Sequence, residues 1–262
     1  ITTAGAASSS NYVYTVTPSS ADEAITVVVA VGGAADSAGN TNTAASNNFG
    51  WTHDGTVPTV TSIAVTDVTS GQYGDDATYT VIVTAPEALE NEPDLTLAVG
   101  TVGYGAGSGC GSATIWTRTV TPSSNDEAVI INVAAGDITD AAGNDNTGAA
   151  TQFAFTHDKT APTATITSTE VTTGGSNNEA TTITVTFNEE MTGIADGDIT
   201  VGNARCTLSS YTVATANTVF TQVCGGSGYT NGETSTITVA ASAGTDAAGN
   251  ANTAATDNKG DD

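Results

Sequence analysis

The chain has 262 residues, of which 28 are Asp or Glu and 4 are Lys or Arg, giving a formal net charge of -24. A surface this acidic repels the phosphate backbone of nucleic acids and the anionic face of a membrane, so neither is a partner, and it suits surroundings rich in cations. No apolar run approaches the roughly 20 residues that cross a bilayer, three cysteines are too few for a disulfide scaffold, and the length exceeds one typical module of about 100–150 residues.

In chain order, the first strand candidate follows VTPSSADEA (residues 16–24) and consists of the β-branched run Ile25-Thr26-Val27-Val28-Val29. A turn sequence, DSAGNTNT (36–43), and then THDGTVP (52–58) come next. All three return 104 residues later, as VTPSSNDEA (120–128), DAAGNDNT (140–147) and THDKTAP (156–162). A third turn copy, DAAGNANT (246–253), stands 106 residues after the second. The chain is therefore a tandem repeat of modules of about 104 residues.

Between these markers the apolar residues alternate, as in Val129-Ile130-Ile131-Asn132-Val133, Ile183-Thr184-Val185-Thr186-Phe187 and Ile237-Thr238-Val239. Period two marks strands with one buried face, and helical spacing is nowhere sustained. Turn clusters at 172–178 and at Asp196-Gly197-Asp198 separate the runs at short intervals. An all-β fold follows: antiparallel β-sandwiches of seven strands, A to G, joined by short linkers in a rod. The period divides the chain into the C-terminal part of a module (1–57), expected to hold its last three strands, a complete module (58–161) and a third (162–262). The last strand of the third is expected to be atypical or missing, because residues 257–262 stand where 151–156 supplied that of the second. Two readings of the partial module remain open: a fragment of a longer chain, or a subunit whose neighbours supply strands.

Three motifs carry a family resemblance: Thr-x-Pro after His-Asp, the Thr-Phe-Asn-Glu-Glu run at 186–190, and the Asp-Ala-Ala-Gly-Asn hairpin. They resemble the bacterial Ig-like repeats of large secreted surface adhesins. The resemblance implies an immunoglobulin-like sandwich, an extracellular or cell-surface location, and calcium stiffening the joints between modules. It implies a spacer or stalk whose partners are neighbouring modules of the same or adjacent chains and, beyond them, another cell surface or matrix. The alternative is the repeating subunit of an extracellular filament assembled by strand sharing.

Strand parity puts the F–G turn and the B–C turn of each module at the pole where the chain enters. Asp54, Glu87, Asp140 and Asn144 should therefore meet at the first junction, and Asp158, Glu189, Asp246 and Asn250 at the second. Calcium takes six to eight oxygen ligands of this kind, and a Gly between Asp and Asn lets the turn aim them at one point. The competing reading is an ion-free hairpin turn in which the Asp side chain caps its own backbone. Asp22-Glu23 and Asp126-Glu127 read as solvated E–F turns able to add a ligand from the upstream module, and Asp75-Asp76 and Glu179 as charges of the A–B turns. His53 and His157 are one per junction, too few for zinc, and are expected to pack against the linkers.

Cys206 and Cys224 flank a run that folds about Thr215. Pairing with a register sum of 430 would set them opposite each other as a disulfide, while Cys110, in a Gly-rich loop, has no evident partner. No nucleophile with a nearby base stands apart from the repeat, so no catalytic residue is assigned. Trp51 corresponds to Phe155 and reads as a core position.

Overall fold

Three β-rich regions follow one another along the chain. A computed structural model describes residues 2–3, 12–91, 93–98, 101–103, 114–168, 180–202, 206–225 and 234–260. Cys110, Glu179 and the 172–178 turn lie outside the described residues.

In the first region β1 (Thr2–Thr3) pairs with β2 (Tyr14–Thr15), and β3 (Asp22–Val27) pairs with β4 (Phe49–Asp54). By the repeat these are strands D, E, F and G, so four strands stand where three were expected. The extra strand is the two-residue β1, too short to announce itself by alternation.

The middle module holds β5 (Ser62–Val65), β6 (Tyr73–Gly74), β7 (Tyr79–Thr84), β8 (Thr96–Leu97), β9 (Thr101–Gly103), β10 (Ile115–Thr121), β11 (Asp126–Asn132) and β12 (Phe153–Asp158). One sheet runs β5-β7-β10-β9 and the other β6-β12-β11-β8, the A-B-E-D and A′-G-F-C arrangement of an immunoglobulin-like sandwich. All pairings are antiparallel except the short β6–β12 contact. Alternation sends Val81 and Val83 of β7, Trp116 and Val120 of β10, and Val129 and Ile131 of β11 into one shared core. Each such side chain, fully buried, contributes about 1.5–3 kcal/mol.

The third module repeats the plan with β13 (Ala164–Ser168), β14 (Thr181–Phe187), β15 (Ile199–Val201), β16 (Thr207–Leu208), β17 (Thr212–Thr215), β18 (Val219–Gly225), β19 (Thr234–Val239) and β20 (Ala255–Gly260). A 3-10 turn at Asp196–Asp198 is the only helical element among the described residues, and no helix is long and apolar enough to cross a membrane. The last strand is present: β20 pairs with β19 from Thr234↔Gly260 to Val239↔Ala255. Asp257 stands opposite Ile237 where the middle module sets Phe153 opposite Ile131, which is why this strand is hard to read from sequence.

The β17–β18 hairpin departs from the expected register. Thr215 pairs with Val219 and, past a bulge, Val213 pairs with Phe220 and Thr212 with Thr221, around a three-residue loop in which Ala216 (φ 25°) and Asn217 (φ 56°) take the left-handed conformation. Three-residue loops with a bulge are a common hairpin connection, and this one is centred on Asn217 rather than on Thr215. Farther along, Leu208 pairs with Cys224, and Cys206 joins Cys224 as a disulfide with Cα atoms 5.4 Å apart.

One interior position is polar in both modules. Arg118, opposite Val81, and Gln222, opposite Ile183, are buried; Arg118 Nη1 donates to the Thr117 carbonyl at 3.0 Å and Gln222 Nε2 to that of Ser209 at 2.9 Å.

Candidate metal sites at the module junctions

Each junction begins with the last residue of a G strand. Asp54 ends β4 and Asp158 ends β12, and from there the chain passes through Gly55-Thr56 or Lys159-Thr160 towards the next A strand. The carboxylates turn back on this linker: Asp54 Oδ1 accepts from the Thr56 N–H and Asp158 Oδ1 from the Thr160 N–H, both at 3.1 Å. This is an Asx turn, and it fixes each linker's first step.

The F–G turn supplies the second carboxylate. Asp140 Oδ1 accepts from the N–H groups of Ala142 (2.8 Å) and Asn144 (2.9 Å), and Asp140 Oδ2 from Asn144 Nδ2 (2.9 Å). Asp246 does the same with Ala248, Gly249 and Asn250. Gly143 (φ 91°) and Gly249 (φ 104°) adopt the positive φ that closes each turn, a conformation costly for residues with a Cβ. Asn144 Nδ2 also donates to the carbonyl of Asp54 at 3.1 Å, and Asn250 Nδ2 to that of Asp158 at 2.9 Å. Each Asn thus latches the turn of one module to the strand end of the module before it.

Glu87 and Glu189, just beyond β7 and β14, complete the groups. One carboxylate oxygen from each of Asp54, Glu87 and Asp140 lies within 4.8 Å of the others, and the same holds for Asp158, Glu189 and Asp246. The eight residues expected at the two junctions therefore gather in two sets, with Asn144 and Asn250 entering as donors to the turn and linker. Glu190 is exposed outside its cluster.

Electrostatics reflect this crowding. Burial raises the pKa of Glu87, and the facing Asp140, Asp54 and Asp22 raise it further. Glu189 is raised by burial and then by Asp246 and Asp158, and Asp158 by burial and then by Asp246 and Asp126. At Asp140 burial opposes ionisation, yet the bonds from Asn144 and the turn N–H groups outweigh it and leave the pKa below its ordinary value. Two like charges at 4.8 Å repel by about 3 kcal/mol at an effective dielectric near 20. That exceeds the ~1 kcal/mol at stake in an ordinary surface pair.

A fourth carboxylate at each junction comes from the upstream E–F turn. Asp22 is the register partner of Asp54 and accepts from Thr56 Oγ1 at 2.6 Å; Asp126 is the partner of Asp158 and accepts from Thr160 Oγ1 at 2.7 Å. Around the second junction, Asp126, Asp158, Thr160, Asn188 and Glu189 line one open cleft. The neighbouring Glu23 and Glu127 instead cap their own turns, each holding a Ser hydroxyl (Ser19 at 2.7 Å, Ser123 at 2.6 Å). Within each Asp-Glu pair, then, the Asp belongs to the junction and the Glu to the turn. Asp75 also reaches the second linker, its carbonyl accepting from Lys159 Nζ at 2.8 Å.

Asn146 and Asn252 had no assigned part in the sequence reading. Asn146 is 3% exposed; its Oδ1 accepts from the Ile138 N–H at 3.0 Å, and its Nδ2 donates to the carbonyls of Ala134 (2.9 Å) and Gly148 (2.8 Å). Asn252 makes the matching bonds to Gly244, Ala240 and Thr253. These side chains stitch the long F–G connection that carries the ligand turn. Their recurrence in all three copies of the turn sequence is the signal that could have found them.

His157 is buried in the middle module, its Nδ1 2.9 Å from the Tyr79 hydroxyl, and burial pushes the Tyr79 pKa up to about 12. It therefore serves the core below the junction.

Two sandwiches in tandem, each entered through a seam of clustered oxygens, define a modular all-β protein. The bacterial Ig-like domain family matches the chain twice, over residues 54–157 and 158–260, and the chain belongs to that family. Each match begins at the junction aspartate rather than at the following proline. Among curated proteins none matches the chain.

Proposed function

We propose that the chain is an extracellular, non-catalytic spacer of a large cell-surface adhesin, stiffened by calcium at its module junctions. The observation that carries the reading is the recurrence of one constellation, strand-end Asp, B–C Glu and turn Asp within 4.8 Å, at both junctions. Carboxylates so close favour a cation over mutual repulsion, and hard oxygen ligands suit calcium. Asp54, Glu87 and Asp140 bind one ion and Asp158, Glu189 and Asp246 the other. Asn144 and Asn250 hold the turn against the linker and carry a further amide oxygen. Asp22 and Asp126 bring a ligand from the upstream module, so that binding joins two modules and restricts bending between them.

Isothermal titration with calcium should show two sites per chain with Kd of roughly 10⁻⁴ to 10⁻³ M. Calcium at about 100 times Kd should add about 2.7 kcal/mol per site and raise Tm. The Glu87→Gln, Glu189→Gln double variant, which leaves both Asx turns intact, should lose that gain. Small-angle scattering should show a longer maximum dimension with calcium than with chelator. Absence of binding heat together with a chelator-insensitive Tm overturns the reading.

A further inference from the structure

The chain leaves the middle module beside a short strand whose place is fixed from within the core. β6 runs parallel to β12 with Tyr73 level with Thr156 and Gly74 with His157, so Asp75 comes out beside Asp158 and the linker. Gly74 is buried against the Tyr79 ring: a Cβ added there would stand 2.9 Å from the Tyr79 hydroxyl, closer than side-chain packing allows. That hydroxyl lies 2.9 Å from His157 Nδ1. The end of β6 is therefore anchored to the core, although Asp75 itself is exposed.

Lys159 reaches back to this anchor. Its backbone N–H donates to the Asn125 carbonyl at 2.8 Å, as the Gly55 N–H does to that of Ala21 at 2.7 Å, so the two linkers leave their modules along the same path. The side chain makes the difference: Lys159 Nζ donates to the Asp75 carbonyl at 2.8 Å, and Gly55 has no side chain to offer. From that position the Asp75 carboxylate meets the third module, its Oδ2 4.0 Å from where a Cβ on Gly249 would stand in the F–G turn. Asp75 thus touches the linker with its main chain and the next module with its side chain. The third module closes on the linker from its own side, the Thr253 N–H donating to the Pro162 carbonyl at 2.9 Å.

We propose that Lys159 and Asp75 form a clasp that holds the second junction in place with no ion bound. A charged donor on an anchored carbonyl makes one of the stronger hydrogen bonds. Its acceptor is a main-chain atom, so it does not compete with a cation for the clustered carboxylates. The inference stands apart from the calcium reading and divides the work between the joints. The second keeps its angle in chelator, and the change in dimension on adding calcium arises at the first, whose linker carries Gly55.

The test measures residual dipolar couplings of the full chain in chelator, which show whether the middle and third modules tumble as one body. The expected result is a single alignment tensor for both. The Lys159→Met variant, which keeps the apolar stem and loses the donor, should need separate tensors, and Lys159→Arg should keep the single one. Asp75→Ala, which keeps the carbonyl and removes the contact with the F–G turn, should also need separate tensors. Both residues are exposed, so the variants keep their folds, as unchanged amide shifts away from the junction should confirm. The proposal is overturned if the parent chain already needs separate tensors in chelator, or if Lys159→Met or Asp75→Ala still fits a single one. Calcium added to the Lys159→Met chain separates this proposal from the calcium reading. A return to a single tensor supports an ion at the junction, whereas no response counts against the ion and leaves the clasp, judged in chelator, standing.

Discussion

The middle and third modules close the same sandwich by different chemistry. In the middle module β12 turns Phe153 and Phe155 onto the core, where Phe155 meets Tyr79 edge-on at 4.6 Å. In the third, the matching positions opposite Ile237 and Ser235 are Asp257 and Lys259. Two buried aromatics contribute about 3–6 kcal/mol. The third module instead has the Cys206–Cys224 bond, which closes a loop of sequence separation 18, worth about 3 kcal/mol. The terms are of similar size, so a covalent staple in one sheet offsets much of an apolar strand missing from the other.

The largest expected effect that would break this comparison is Phe155→Ala, which should cost the middle module about 4 kcal/mol. Calorimetry should show one transition falling while the other stays. Next, reduction, or the Cys206→Ser, Cys224→Ser variant, should lower the third module alone by about 3 kcal/mol; an equal drop in both would remove the contrast. Asn146→Ala strands the Ile138 N–H and two carbonyls and should cost about 2 kcal/mol, with Asn252→Ala a matched loss in the third module, each read from urea midpoints.

The smallest effect is a pH dependence. Glu87 and Glu189, ordinarily near 4.5, and Asp158, near 3.8, are raised, so the folded state binds their protons more readily than the unfolded one. In chelator, stability should rise as pH falls from neutral into the window just above those ordinary values. Asp22, Asp140, Glu23 and Glu127 are lowered, and the stability they contribute is present above their ordinary values of 3.8 and 4.5 and is lost as pH falls through the lower folded ones. Tm against pH should therefore show a shallow acid maximum in chelator. With calcium bound, protons compete for the same carboxylates, and acidification should lower Tm throughout.

Much of this was legible in the sequence, for particular reasons. The 104-residue period and the Val/Ile alternation fixed the sandwich plan, because burial of one strand face is a local, periodic demand. Asp54, Glu87 and Asp140 could be brought together from strand parity alone. Asp22 and Asp126 read only as solvated turns able to add a ligand, because their place depends on F pairing with G so that Asp faces Asp. The β17–β18 register failed because a symmetric run admits several centres and the positive φ at Ala216 and Asn217 chose another. Arg118 and Gln222 were hidden because a polar residue within an alternating run reads as outward-facing.

The Asn144 and Asn250 latches bear on how such a tandem array can change length. Every joint takes one face from the older neighbour and one from the newer, so the unit that can be copied or deleted without remaking a contact runs from one strand-end aspartate to the residue before the next. Duplications in that phase splice themselves in with a finished joint at either side. A duplication in any other phase would leave a joint with mismatched halves.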